Sequence, residues 1–215
     1  LAGAEKVCPS RLIELRALAA PTRNELQALR ENVSAHGFAL YRTADGAGVA
    51  ALRRFARALG LYNHDRAASG AAEVRHLRDT GSAARIREYI PFTNRAINWH
   101  TDGYYSGAEK PVQAFVMHCL SPAPVGGENQ FLDPRRVYIA LREENPAWIR
   151  ALSEPRALGI PANVIDGRVV RSARYGPVFS VHAGPRPALR MRYTIRKKHV
   201  EWGDGNVLIQ ARERL

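Results

Sequence analysis

The residues Trp99-His100-Thr101-Asp102 constrain this chain more than any other feature. They sit in a stretch, 96–102, that reads as extended. Side chains alternate between the faces of a strand, so His100 and Asp102 share one face. One imidazole and one carboxylate on one face are two of the three groups in a 2-His-1-carboxylate facial triad. That triad holds non-haem Fe(II) and leaves positions open for substrate and oxygen. A lone H-x-D is a weak signal, shared by ordinary hydrogen-bonded pairs, so its surroundings decide its meaning.

Those surroundings are those of a soluble domain. The 215 residues are enough for one large domain with a real core, and the chain is read as a single domain over 1–215. Hydrophobic residues make up 46% and charged residues 24%, which places the chain among ordinary globular proteins. No apolar run approaches the ~18 residues of a membrane-spanning helix. No cationic segment leads into an apolar one at the start, as a secretion signal would. Cys8 and Cys119 are the two cysteines, which excludes a disulfide framework and fits a reducing, cytoplasmic compartment.

The net charge of +12 raises nucleic-acid binding as a function class. The basic residues are scattered among Glu and Asp, however, and the one dense cluster is Arg196-Lys197-Lys198. No helix-turn-helix, zinc-finger or RNP-type signature accompanies them. A local reading is that an anionic substrate and an anionic co-substrate both need cationic partners. The expectation is a small-molecule substrate, with neither nucleic acid nor membrane as a partner; a homo-oligomer is left open.

The N-terminal third reads helical. Leu12 to Leu18 is a short amphipathic piece. Thr22 and Glu25 form a capping box ahead of Leu26, Leu29 and Val33, and Gly37 is a stop signal. Phe38 to Tyr41 reads as a strand, and Val49 to Leu59 as a second helix. Residues 61–87 read as loop. Glu88–Ile90 and Ala96–Asp102 look extended, and Gln113 to Leu120 alternates as a strand. Pro122, Pro124 and Gly126-Gly127 break it, and Asn129 to Leu132 resumes as a short strand. Asp133-Pro134 and Asn145-Pro146 each pair an N-cap with proline at the first helical position, predicting helices to about Arg142 and Leu152. Short strands follow at Arg168–Val170, Val178–Val181, Leu189–Tyr193 and Val207–Gln210. Many short strands with Gly/Pro turns, and helices in front, suggest an antiparallel barrel or jelly roll with helical decoration.

The motif Trp99-His100-Thr101-Asp102, the apolar strand around Val116 and the turn Pro122-Ala123-Pro124-Val125-Gly126-Gly127-Glu128-Asn129 occur in that order. Together they resemble the TauD/TfdA family of Fe(II)- and 2-oxoglutarate-dependent dioxygenases, which carry W-H-T-D on a strand and a P-x-x-G-G-[DE]-[TN] turn after it. The resemblance runs from about Leu26 to Trp202. It implies a mainly β fold with α, a double-stranded β-helix (jelly roll) with N-terminal helices packed on one face. It implies Fe(II) and 2-oxoglutarate as cofactors, O2 as co-substrate, and oxidation of a small molecule with release of succinate and CO2. Carried over, His100 and Asp102 are the first two iron ligands and the catalytic pair. Asn129 falls where many relatives have a Thr that hydrogen-bonds the co-substrate carboxylate, and an Asn amide can donate the same bond. Tyr104 and Tyr105 follow the metal motif and could line a pocket mouth. Arg190 or Arg192, on a late strand, could pair with an anionic substrate. Each of these also fits a plainer role: a turn residue at Asn129, surface packing at the tyrosines, solvated strand positions at the arginines.

The family's distal His lies far beyond the Asp on a late strand, with the 2-oxoglutarate-binding Arg a little further on. Here Asn206-Val207-Leu208-Ile209 stands where some relatives read N-V-L-H, so Ile209 occupies the position expected for the ligand. His182 and His199 precede that position and read as surface or turn residues, and His118 reads as a core residue. Two explanations compete. Leu1 in place of Met and the end at Leu215 lead to the expectation that segments of the native protein lie outside this sequence. Otherwise the third ligand is lost, and the chain is a non-catalytic jelly-roll binding protein or pseudoenzyme.

Overall fold

The structure is a computed structural model that describes residues 12–46, 48–63, 74–79, 90–107, 111–182, 187–195 and 200–215. Glu88, Tyr89, His199 and the Arg196-Lys197-Lys198 cluster lie outside the described residues. The chain divides into two compact units, one of residues 1–96 and 114–131, the other of residues 97–113 and 132–215.

In the first unit, β1 (Leu12–Leu15) and β2 (Leu40–Thr43) pair in parallel, Leu12 opposite Leu40 and Leu15 opposite Thr43. A parallel pair needs a crossover, and α1 (Arg23–His36) supplies it. The capping box forms as the sequence predicts. Glu25 N donates to Thr22 Oγ1 at 3.3 Å, and Thr22 N donates to Glu25 Oε2 at 2.6 Å. Gly37 closes the helix at φ 81°, where its N–H reaches Val33 O at 2.8 Å; a side chain would strain that conformation. Helix α2 (Val49–Ala58) follows, and Leu15, Leu18, Leu29 and Phe55 form the core of this unit. Tyr41 packs against that core, and its hydroxyl donates to Met117 O at 3.2 Å. Burial pushes the Tyr41 phenol up to about 12.

Leu12–Leu15 is strand, not the amphipathic helix that its spacing suggested. Four apolar-rich residues fit either period, and the ladder with β2 decides between them. Gln113–Leu120 and Asn129–Leu132 make no ladder among the described residues, although their alternation predicts strands. Phe115, Met117 and Leu120 are half exposed or more. Ile90–Phe92 is a turn of 3-10 helix.

In the second unit, α3 (Pro134–Glu144) and α4 (Pro146–Leu152) start at the two predicted caps. Asp133 Oδ1 accepts from Arg135 N at 2.8 Å, and Asn145 Oδ1 accepts from Ala147 N at 3.0 Å. Short strands follow: β3 (Leu158–Ile160), β4 (Asn163–Ile165), β5 (Arg168–Arg171), β6 (Arg174–Gly176), β7 (Phe179–His182), β8 (Ala188–Met191) and β9 (Glu201–Trp202). They form the sheets β6-β3-β9, β4-β5 and β7-β8. Val137, Leu141, Ile149, Leu152, Leu158, Phe179 and Leu208 build the core.

The chain ends in α5 (Asn206–Arg214), which corrects the strand expected over Val207–Gln210. Leu208 and Ala211 are buried three apart, the helical period, while Ile209 is 43% exposed. Among the described residues the architecture is mixed helix and strand with five α-helices, and the described strands close no barrel. No described helix is long and apolar enough to cross a membrane.

Candidate metal centre

The segment carrying Trp99-His100-Thr101-Asp102 is held by the neighbouring segment 193–195. His100 bridges antiparallel to Thr194. Ile195 N donates to Trp99 O at 3.2 Å, and Thr101 N donates to Tyr193 O at 2.9 Å. The chain then leaves this pairing in a turn at 102–105, where Gly103 has φ 69° and lies so close to Val112 that a Cβ would collide with it. His100 in the bridge and Asp102 at the start of the turn stand side by side. His100 Nε2 lies 3.6 Å from Asp102 Oδ1.

The ring of His100 has a defined orientation. Nδ1 lies 2.8 Å from Asn98 O. A carbonyl oxygen can only accept, so Nδ1 carries the proton, and in the neutral ring Nε2 is the nitrogen with a lone pair to offer a metal. A backbone carbonyl fixing the far nitrogen is the arrangement that orients a metal-ligating imidazole. Two ligand atoms each ~2.1 Å from one ion are at most ~4.2 Å apart, so the 3.6 Å separation fits a shared cation. The side chains are 36% and 47% exposed, which leaves the remaining coordination positions accessible. The donor set, one neutral nitrogen and one carboxylate oxygen, suits Fe(II).

Among the described residues no third ligand stands beside them. Among the described residues, no group of three or more His, Cys, Asp or Glu side chains is placed to hold a metal. Ile209 lies on α5, so the N-V-L-H correspondence that set it at a ligand position on a late strand does not hold. His182 is exposed on β7 opposite Ala188. His118, in the first unit, sits with Nδ1 3.2 Å from the Tyr41 hydroxyl and its ring stacked on Tyr41.

The other predicted residues are distributed as follows. Tyr104 and Tyr105 are half-buried, meet edge to face at 5.3 Å, and pack on the core of the second unit. Asn129 belongs to the first unit; it is exposed, and its Nδ2 donates to Gly127 O at 3.5 Å. Arg192, expected to face an anionic substrate, is instead a core residue at 7% exposure. Its Nη2 donates to Leu158 O and, at 3.0 Å, to Gly176 O. Burial, with the nearby Arg190 charge, pulls its guanidinium down to about 10. Arg192 thus ties two strands together through their carbonyls, a role that period-two reasoning could not distinguish from solvent exposure. Nothing local in the sequence marks Thr101, because the partner of its hydroxyl, Tyr193, lies 92 residues away.

The family model described as Taurine catabolism dioxygenase TauD, TfdA family matches residues 3–210. A curated relative, a uridine-5'-phosphate dioxygenase from Streptomyces sp, is 33% identical over 89 residues. That alignment covers 40% of this chain and 30% of the relative's length. No solved structure matches the chain.

Proposed function

Since the chain belongs to the TauD/TfdA dioxygenase family, we propose that it is an Fe(II)- and 2-oxoglutarate-dependent dioxygenase that hydroxylates a small anionic molecule. The observation that carries this reading is the pairing of His100 Nε2 with Asp102 Oδ1 at 3.6 Å, with Nδ1 committed to Asn98 O. His100 and Asp102 would hold the iron. With 2-oxoglutarate and O2, the iron supplies the oxidising power for hydroxylation, and succinate and CO2 are the co-products.

The chain's own residues do the positioning. The Asn98 carbonyl keeps His100 in the tautomer that offers Nε2, and the Asp102 carboxylate supplies a negative charge to balance the cation. Asn129 is proposed as a donor to the 2-oxoglutarate carboxylate, and Tyr104 as a contact for substrate. The jelly-roll architecture, the reading of 1–215 as one domain and a cytoplasmic location belong to the same proposal. The curated relative is named for uridine 5'-phosphate, and this chain is strongly basic, so nucleoside monophosphates head the candidate substrates.

The test is succinate formation by the full-length protein with Fe(II) and 2-oxoglutarate, with and without uridine 5'-phosphate and other small phosphates and carboxylates. Wild type should turn over, and His100→Ala should abolish turnover. Iron-dependent turnover retained in His100→Ala rejects the assignment. So does a wild type that binds no iron, and tight retention of a small anion in that case would identify a binding protein.

A further inference from the structure

The hydroxyl of Thr101 ties the His100–Asp102 segment to the neighbouring segment 193–195 through both backbone groups of Tyr193. Tyr193 N donates to Thr101 Oγ1 at 3.0 Å, and Thr101 Oγ1 reaches Tyr193 O at 3.4 Å. The Thr101 N–H donates to that same carbonyl at 2.9 Å. The pairing sits next to a single isolated bridge. His100 bridges Thr194, and from Asp102 onward the chain is in a turn. Asp102 therefore has no ladder partner of its own, and the last fixed point before its carboxylate is Thr101. The far side of the clasp is firm. Arg192 N donates to Val178 O at 2.7 Å, the Arg192 guanidinium holds two further carbonyls, and Thr194 is 1% exposed.

We propose that Thr101 is a positioning residue, whose hydroxyl, clasped to the Tyr193 backbone, fixes the Asp102 carboxylate against His100 Nε2 for metal binding. This rests on the reading of His100 and Asp102 as metal ligands. The Thr101 hydroxyl is engaged with the Tyr193 backbone, so it acts through the backbone and not as a ligand. Without the hydroxyl the Tyr193 N–H loses its acceptor, the pairing loosens and the Asp102 turn is free to shift. Partners that orient metal ligands typically change affinity about 10- to 100-fold when removed.

The experiment is anaerobic titration of the full-length protein with Co(II), read by calorimetry and by the visible d–d bands of the bound ion. Thr101→Val removes the hydroxyl and keeps the β-branch; Thr101→Ser keeps the hydroxyl. Thr101→Val should bind Co(II) about 10- to 100-fold more weakly, with altered bands, at a temperature where circular dichroism shows it folded. Thr101→Ser should restore both affinity and spectrum, which a general loss of stability would not predict. If Thr101→Val does not fold, Thr101→Ala carries the same expectation and is read against Thr101→Ser in the same way. Wild-type affinity and spectrum in the hydroxyl-free variant overturn the role of Thr101 while leaving the metal pair intact. A wild type that binds no Co(II), or a His100→Ala variant that binds as well as wild type, overturns the metal pair and the role of Thr101 with it.

Discussion

The guanidinium of Arg192 lies flat against Gly176. A Cβ built on Gly176 would meet Cζ, Nη1 and Nη2 of Arg192 at 3.4 Å, and Nη2 donates to the Gly176 carbonyl at 3.0 Å. A Cβ on β6 would already touch the arginine head, so the small residue leaves it room to reach the backbone. The same head also donates to Leu158 O on β3, so one cation joins two neighbouring strands of the β6-β3-β9 sheet.

Arg192→Met should therefore destabilise the protein. The substitution keeps much of the apolar stem and removes a cation whose burial is unfavourable, but it strips donors from two carbonyls. Unsatisfied buried acceptors cost about 1–3 kcal/mol each, and relief from burying the charge offsets part of this. A net loss of about 1–2 kcal/mol is expected from these opposing effects. Urea denaturation measures it, and an equal or higher midpoint for Arg192→Met would remove the clamp from the account.

The N-terminus of α1 should be acid-sensitive. Hydrogen bonds from the Thr22 and Arg16 backbone N–H groups hold the Glu25 carboxyl below its usual 4.5. A depressed carboxyl adds stability that is present above the unfolded value and is lost as pH falls through the folded one. Stability should therefore drop below pH 4.5, and Glu25→Gln should flatten part of that drop. Thr22→Ala should cost about 1 kcal/mol at neutral pH. Chemical denaturation across pH checks both, and an unchanged acid limb in Glu25→Gln would contradict the capping box.

Neighbouring residues on α5 should respond in opposite ways. Leu208 is 6% exposed in the core and Ile209 is 43% exposed. Leu208→Ala should cost about 2–4 kcal/mol, and Ile209→Ala should stay within about 0.5 kcal/mol of wild type. The reverse order in thermal or urea unfolding would show that Ile209, and not Leu208, faces the interior.

What the sequence determined by itself is what its residues decide within a few positions of one another. Thr22 with Glu25, Asp133 with Pro134 and Asn145 with Pro146 each start a helix, because a cap's partner is two or three residues along the chain. The closeness of His100 and Asp102 is equally local, since one residue separates them in the chain. The tertiary structure decided whatever needs a distant partner. Leu12–Leu15 became strand because Leu40–Thr43 lies beside it, and Gln113–Leu120 makes no ladder among the described residues. Val207-Leu208-Ile209 reads as β from composition, but it folds as helix because Leu208 and Ala211 reach one core together. The clasp of Thr101 on Tyr193 and the burial of Arg192 join residues far apart in the chain. Their side chains, a hydroxyl and a guanidinium, suit water as well as a backbone carbonyl, and only the arrival of that backbone settles which one they meet.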